Sequence, residues 1–518
     1  MKANRFRLSV KNLIYFLAFL KLVIPFFLQS PIYELHRDEY LYLAEAHHMA
    51  WGYLEVPPLL SVLAWISIFM GNSIYVIKFW PALFSSLTFL LCARMVLSLG
   101  GKKFAIFLVW LPFIFGVYLR LFYLFQPNFL EVFFWTSMSY CLFNFIKTEK
   151  NIWLYGFGIS LGLGLLSKHS SIFYLVGILA GILFTPYREL YRNKHFYMAG
   201  IVSLLIFFPN FLWEFDHNFP FVHHMKELQE EQLKYLNSAD FLKNQIFMSI
   251  SYFFIWIAGI IYLILNKEGE NFRIFFYSYW ITMILFIVFH GKDYYTLGLY
   301  PILFVFGSVY LEKLTLNRYL WIRYAMVINV FVVGLFFLPA LIPVFKPDRL
   351  KIYYEKTGIS KTGFLIWEDQ KSHPLPQDFS DMLGWKELSV KASKVYLKLS
   401  NEERKQTIFF CDDYGTAGAI TYFAPGLKIP DPISDASNFI LNLPIHVHFK
   451  NLILIRRTLP VVSDDIHNGF EKVILMDSLS TPYSREIGMK VLLLKNIKPK
   501  LLSYLCKKWG KERLSFER

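Results

Sequence analysis

Before residue 346 the chain is a succession of apolar runs, most of them about as long as the roughly 20 residues a helix needs to cross a bilayer. The expected spans are 11–29, 61–77 with 79–99 as one broken stretch, 104–121, 129–146, 152–167, 170–185, 196–213, 246–265, 272–290, 296–311 and 322–343. A chain with so many runs has few folds open to it, because every backbone polar group in hydrocarbon must be paired internally. The reading is a polytopic α-helical membrane protein with about 11 transmembrane helices. The first run, from Leu13 to Leu28, follows basic residues but precedes no small-residue cleavage site, so it reads as a retained helix.

Charge supports that reading and orients it. The net charge is +15, which in a soluble protein would suggest nucleic acid. Here the basic residues sit in short loops between apolar runs, so no nucleic-acid partner is expected. Lys2, Arg5, Arg7, Lys11, Arg94, Lys102, Lys103, Lys147, Lys150, Arg188, Arg192, Lys194, Lys267, Arg273, Lys313, Arg318 and Arg323 fall on one side. By the positive-inside rule that side is cytoplasmic. Residues 30–60 and everything after Pro347 are then extracytoplasmic.

After about Lys346 the chain is more charged and carries short β-rich runs at 407–413, 451–457, 472–478 and 489–497. Helix-like pieces lie between them, which predicts a soluble α/β domain at 346–518 behind a membrane domain at 1–345. The four cysteines form no metal or disulfide framework, although Cys411 and Cys506 could pair in an oxidising compartment.

The densest ionisable chemistry near a membrane run lies in SPIYELHRDEYLYLAEAHHMAWGYLEVPPLL, residues 30–60. Such residues beside hydrocarbon point to function. Periodicity predicts a helix over 36–51, with Asp38, Tyr42, Glu45 and Met49 on one stripe and Tyr40, Leu43, His47 and Ala50 on a more apolar one. Asp38 is read as a general base for an acceptor hydroxyl, with Glu39 as its orienter. The plain alternative is a solvated interfacial helix anchored by Trp51 and Tyr53. Glu55, before Pro57-Pro58, is either a structural glutamate or a ligand for a divalent metal.

Two further outer segments stand out. Residues 214–245 carry His217, His223 and His224 and a surface helix over Val222–Leu236; residues 290–301 carry Lys292, Asp293, Tyr294 and Tyr295. Lys292 with Tyr294 and Tyr295 suits a lipid phosphate, as a point charge beside directional hydroxyls, or is an interfacial belt with a snorkelling lysine. Lys168-His169 is similar. Arg120, Gln126, Asn128 and Glu131 line a cavity or satisfy broken-helix backbone. Asp412-Asp413 and Arg456-Arg457 read as ordinary surface and strand-end charges.

Taken in order, the acidic pair, GYLEVPPL, LLSKHSSIFYL, PNFLWEFDHNFP and GKDYYTLGLYPILFVFG resemble the bacterial protein O-mannosyltransferase-like glycosyltransferases, related to dolichyl-phosphate-mannose-protein mannosyltransferases. These belong to the GT-C superfamily, with the lipid A aminoarabinose transferases. The tail resembles the family's outer domain through LPQDFSDMLGWKEL and DDYGTAGAITYF. The resemblance implies a GT-C fold and transfer of a sugar, with inversion, from a polyprenyl-phosphate donor such as undecaprenyl phosphate. The acceptor would be an envelope lipid A, glycolipid, polysaccharide or protein outside a bacterial inner membrane. It maps Asp38 onto the catalytic acidic residue and Glu55 onto an acidic residue that helps bind a metal in aminoarabinose transferases. Where those enzymes carry a phosphate-contacting Lys, this chain has Val56, which moves phosphate binding toward Lys292, Arg37 or Lys168. A second acidic residue of the family is replaced by the choice between Asn128 and Glu131. The alternatives of another class are a transporter or lipid flippase, or a scaffold acting through its tail.

Overall fold

The computed structural model describes residues 9–28, 30–231, 233–235, 237–316, 319–460 and 465–517. Lys2, Arg5, Arg7 and Arg318, used above for orientation, and Leu236 of the expected 222–236 helix lie outside the described residues.

Among the described residues, seven helices are long and apolar enough to span: Val10–Leu28, Ile74–Ser98, Pro127–Thr148, Lys194–Asp216, Lys267–Val288, Asp293–Leu314 and Leu320–Leu341. Two pairs bent by 110° and 105°, Ser171–Leu183 with Pro186–Arg192 and Ser238–Met248 with Phe253–Leu265, raise the number to nine. The protein is a multi-pass membrane protein. The shortfall against eleven has a local cause. The run 104–121 breaks at Phe115–Gly116, where Gly116 takes φ +82°, leaving a 12-residue helix Lys103–Ile114. The run 152–167 yields only the 14-residue helix Ile152–Leu165. At about 1.5 Å per residue neither reaches the roughly 30 Å of hydrocarbon. The 61–99 stretch is broken, but earlier than the expected division between 77 and 79: it forms Leu59–Phe69 and Ile74–Ser98, with Gly71 at φ +92° between them.

The chain divides into two compact units. The first comprises residues 1–28, 75–211 and 225–342. Its helices approach closely through small residues, as expected where lipid supplies no hydrophobic drive for association. A methyl group on Gly177 would stand 2.2 Å from Thr282 Oγ1, and one on Gly181 2.6 Å from the Ile274 carbonyl oxygen. Helices Ser171–Leu183 and Arg273–Val288 are therefore in backbone contact.

The second unit comprises residues 29–74, 212–224 and 343–518. Two stretches read in the sequence as loops of the membrane region thus group with the tail. Its centre is a four-stranded sheet of order β1-β2-β4-β3, with β1 Thr407–Cys411, β2 Asn451–Arg456, β3 Phe470–Ser478 and β4 Lys490–Ile497. β1 and β2 are parallel; β4 runs antiparallel to both β2 and β3. Alternate residues feed two cores. Phe409, Cys411, Ile453, Ile455, Val491 and Leu493 pack with helices Trp385–Leu397 and Tyr414–Leu427. Phe410, Leu452, Leu454, Leu492 and Leu494 pack with helix Pro499–Leu514.

This layering keeps Cys411 and Cys506 from pairing. All four cysteines are free. Cys411 is fully buried in the first core, whereas Cys506 rides the helix over the other face and donates to the Val447 carbonyl.

Candidate functional site

The acidic pair opens a helix that is shorter and more enclosed than its periodicity suggests. Helix Arg37–Glu45 ends six residues before Trp51, and every residue from Glu39 to Glu45 is buried. It packs between helices Leu59–Phe69 and Tyr414–Leu427, so it is not an interfacial helix with one solvated acidic face.

Its N-terminus is locked by a capping box. The Asp38 N–H donates to His36 Nδ1 at 3.1 Å, and the His36 N–H donates to Glu39 Oε2 at 2.7 Å. Glu39 is fully buried and fixes the first turn, while the Asp38 side chain remains 32% exposed beside it. The orientation of Asp38 is therefore set by its own helix end.

The tail supplies the partners. Tyr414 donates its hydroxyl to Asp38 Oδ1 at 2.9 Å, and the Arg37 guanidinium lies 4.2 Å from the Tyr414 ring centre. Arg37 Nη2 is 3.6 Å from Asp413 Oδ1, and Asp413 caps helix Tyr414–Leu427 by accepting from the Thr416 N–H. Two glycines make this contact close. A methyl on Gly415 would meet Arg37 Cγ at 2.5 Å, and one on Gly418 the Tyr40 carbonyl carbon at 2.7 Å. The acidic pair of the tail thus sits at the carboxyl end of β1, beside the parallel β2 that ends in Arg456, and Arg456 Nε is 3.0 Å from Asp412 Oδ2. Carboxyl ends of parallel strands are the usual place for ligands in α/β sheets.

Residues read as ordinary surface charges are therefore part of the constellation. Arg457 pairs with the buried Glu486, and Arg485 Nη1 lies 3.2 Å from Asp381 Oδ2. No local pattern reveals these pairings, since Asp38 and Tyr414 are 376 positions apart. The signal that could have found them is the Gly415/Gly418 spacing in DDYGTAGAITYF, a helix face cleared for close approach.

Behind Asp38 lie two buried carboxyls. Glu55 accepts the Ser437 hydroxyl through Oε1, while its buried Oε2 has no hydrogen-bond partner. Burial, opposed by hydrogen bonds and reinforced by Asp38, pushes the Glu55 carboxyl up to about 7. Ser61 donates to Glu45 Oε2 at 2.7 Å, and burial together with Glu55 holds Glu45 well above the usual carboxylate range.

Metal-like spacing occurs once among the described residues. Ligand atoms of His36, Asp378 and Asp381 all lie within 4.8 Å of one another, and Glu55 is not in this group. The imidazole does not suit a cation in this geometry. His36 Nδ1 accepts from the Asp38 N–H, so in the neutral ring Nε2 carries the proton. That N–H faces Asp378 Oδ1 and Asp381 Oδ2, each at 3.8 Å. Arg485 already balances part of the acidic charge.

The other candidates belong to the first unit. Lys168 Nζ donates to Asn128 Oδ1 at 2.8 Å and Glu131 Oε2 at 2.9 Å, and stands 3.8 Å from the Tyr295 ring centre. Glu131 also accepts the Ser170 hydroxyl. Burial lowers the Lys168 pKa against the pull of Glu131, and neighbouring Lys292 lowers it further. Asp293 caps its own turn at the Tyr294 N–H and accepts from Asn244 Nδ2, both at 2.8 Å. The Asn128 and Glu131 alternatives are thus both used, on one lysine. Arg37, Asp38, Glu39 and Glu55 lie in the second unit; Lys168, Lys292, Tyr294 and Tyr295 lie in the first.

The fold matches that of ArnT from Cupriavidus metallidurans bound to undecaprenyl phosphate, with a TM-score of 0.61 at 12% identity, covering 93% of this chain and 97% of that one. The apo form of the same protein matches with a TM-score of 0.57 over the same shares, again at 12% identity. This is the GT-C fold. Residues 55–213 also match the family model described as dolichyl-phosphate-mannose-protein mannosyltransferase. No curated protein sequence matches the chain. The expected GT-C architecture is therefore present, with a small C-terminal sheet domain. The family match begins at Glu55 and runs through the Asn128–Glu131 and Lys168 segments, whereas Asp38 and the Lys292–Tyr295 segment lie outside it.

Proposed function

We propose that this chain is a membrane glycosyltransferase that moves a sugar from a polyprenyl-phosphate donor to an acceptor of the bacterial envelope, on the extracytoplasmic side of the inner membrane. The observation that carries the reading is Asp38, a partly exposed carboxylate held by a capped helix end, in a GT-C chain with a mannosyltransferase match. ArnT, whose fold this chain shares, has been observed with undecaprenyl phosphate. No observation favours the transporter or flippase alternative.

In this reading Asp38 takes the proton of an acceptor hydroxyl as that oxygen bonds the anomeric carbon and the bond from carbon to phosphate oxygen breaks. Attack opposite the leaving group inverts the configuration. Glu39 acts through the capping box, as a positioning residue. Tyr414, donating to Oδ1, helps orient the carboxylate, and Arg37 balances the local negative charge. The departing lipid phosphate needs cations more than acid, because it is already a good leaving group. Lys292 and Tyr294 are the proposed contacts for it. Lys168, whose ammonium is already engaged by Glu131, Asn128 and Tyr295, fixes the Tyr295 ring beside them. A divalent metal would find its best-spaced ligands at His36, Asp378 and Asp381, but the His36 tautomer argues against it, and no step is assigned to one.

The test is transfer of label from a panel of polyprenyl-phosphate sugars to endogenous acceptors, in membranes carrying wild type or Asp38→Asn at equal expression. Transfer from one donor with wild type alone supports the assignment. Equal transfer by the variant moves the base elsewhere.

A further inference from the structure

A second concavity lies in the second unit, apart from the Asp38 constellation. It is a cleft of about 140 Å³ with Trp213, His217, Asn438, Asn442, Arg513 and Glu517 in its lining. A closed cavity of about 150 Å³ holds a benzene ring; this cleft is open on one side, so it can seat one six-membered ring whose substituents project outward.

The lining specifies what kind of ring. His217 stacks on Trp213, with ring centres 4.2 Å apart and planes within 18°. Gly52 keeps the backbone against the indole, since a methyl there would lie 2.1 Å from Trp213 Cε3. One wall is thus a rigid aromatic stack. His217 Nδ1 lies 2.8 Å from the Trp213 carbonyl oxygen, which can only accept. Nδ1 therefore carries a proton, and in the neutral ring Nε2 presents a lone pair. Asn438, 4% exposed, uses Oδ1 on the Leu54 N–H and keeps its amide donors. Arg513 donates Nη1 to the Leu443 carbonyl and Nε to Glu517 Oε1, both at 3.1 Å, with N–H groups left over. Its charge is balanced by Glu517, and burial and His47 lower the pKa of His48.

An aromatic wall, mixed donors and acceptors and balanced charge match an uncharged polyhydroxylated ring better than a phosphate, a carboxylate or a lipid chain. The cleft is also tied to the loop of Glu55: Ser437 donates to the Glu55 carboxylate and the next residue, Asn438, lines the cleft. We propose that this cleft is a saccharide subsite that holds one neutral pyranose ring of the acceptor. Its assignment to the acceptor rests on the glycosyltransferase reading; its binding of a neutral sugar does not.

The test uses the full-length protein in detergent and follows tryptophan fluorescence during titration with methyl α-mannoside, methyl α-glucoside, methyl α-galactoside and, as a charged control, glucose 6-phosphate. The expected result is saturable binding of at least one methyl glycoside and at least tenfold weaker binding of the phosphate. His217→Phe keeps the stack but removes the Nε2 acceptor, and Asn442→Leu changes an exposed position; each should weaken binding about five- to tenfold, the loss of one hydrogen bond. Saturating undecaprenyl phosphate should leave the sugar in place. Absence of saturable binding by every methyl glycoside, or unchanged affinity in both variants, overturns the subsite. Displacement by undecaprenyl phosphate makes the ring that of the donor and overturns the acceptor assignment. Sugar binding without any transfer activity would keep a sugar-binding cleft but sink the transferase reading and, with it, the assignment of the ring to the acceptor.

Discussion

Glu55 makes the stability of the second unit depend on pH in a way that one substitution should remove. Its carboxyl is raised from 4.5 to about 7, chiefly by burial. The folded protein thus holds this proton more tightly than the unfolded chain does. The stability from that proton is fully present below about pH 4.5 and is lost as pH rises through about 7. Above that, an ionised buried Glu55 costs about 3 kcal/mol, at about 1.4 kcal/mol per pH unit. Glu55→Gln keeps an acceptor for Ser437 and has no charge to form. The variant should match wild type within about 1 kcal/mol at pH 5 and exceed it by about 2–3 kcal/mol at pH 8. For a unit of about 235 residues that is roughly 5–10 °C in apparent melting temperature at pH 8. Buried carboxyls such as Asp381 and Glu486 titrate in both proteins and largely cancel in the difference. Glu45 does so only in part, because Glu55 contributes to its shift; losing that charge adds to the gain at high pH. The assay is thermal unfolding in detergent across pH 5 to 8. A difference that does not change with pH would refute the buried, proton-binding Glu55.

Three other outcomes follow from the geometry. Removing either partner of the buried Lys168–Glu131 pair, by Lys168→Met or Glu131→Gln, should cost about 3–5 kcal/mol, because the other charge is left uncompensated; Lys168→Met with Glu131→Leu should recover most of it, and single variants that melt with wild type would disprove the pairing. Gly418→Ala places a methyl against Tyr40 and should cost about 1–3 kcal/mol and reduce transfer, while Gly426→Ala in the same helix meets open space and should do neither; equal effects in the two would break the link between helix contact and activity. Because the His36 ring has its proton on Nε2, transfer should survive exhaustive chelation with EDTA; loss restored by added Mg²⁺, Mn²⁺ or Zn²⁺ would overturn that assignment.

Apolar length is a local property, and nine of the eleven expected stretches appear as spans or bent pairs, although the break expected between 77 and 79 falls instead between Phe69 and Ile74. The count failed where a short-range feature outweighed hydrophobicity, as when Gly116 at positive φ stops the helix that begins at Lys103. Periodicity misread residues 36–51 for a different reason. A stripe of Asp38, Tyr42 and Glu45 looks solvated when the helix is imagined against one surface, but this helix is covered on both sides, and its carboxyls meet hydroxyls: Tyr414 donates to Asp38 and Ser61 to Glu45. The part of the site contributed by Asp413, Tyr414 and Arg485 had no signature near Asp38, because these partners come from segments more than 370 residues away.

That separation bears on why the chain carries its C-terminal domain at all. A general base must be held to within a fraction of an ångström, and a nine-residue helix cannot hold itself in place. In this protein the holding is done from the tail. Gly415 and Gly418 admit the backbone of the Asp38 helix, Asp413 engages Arg37, Tyr414 engages the carboxylate itself, and the Asp381 carbonyl accepts the Arg37 N–H at 3.1 Å. These groups come from the end of β1 and from the segment before helix Trp385–Leu397, both braced by the sheet core. A sheet behind a short helix supplies the rigidity that a loop between two membrane runs lacks. The domain therefore acts, in the proposed function, as the support of the carboxylate assigned as base as well as the wall of the neighbouring cleft, and its removal should abolish transfer even where the membrane helices still insert.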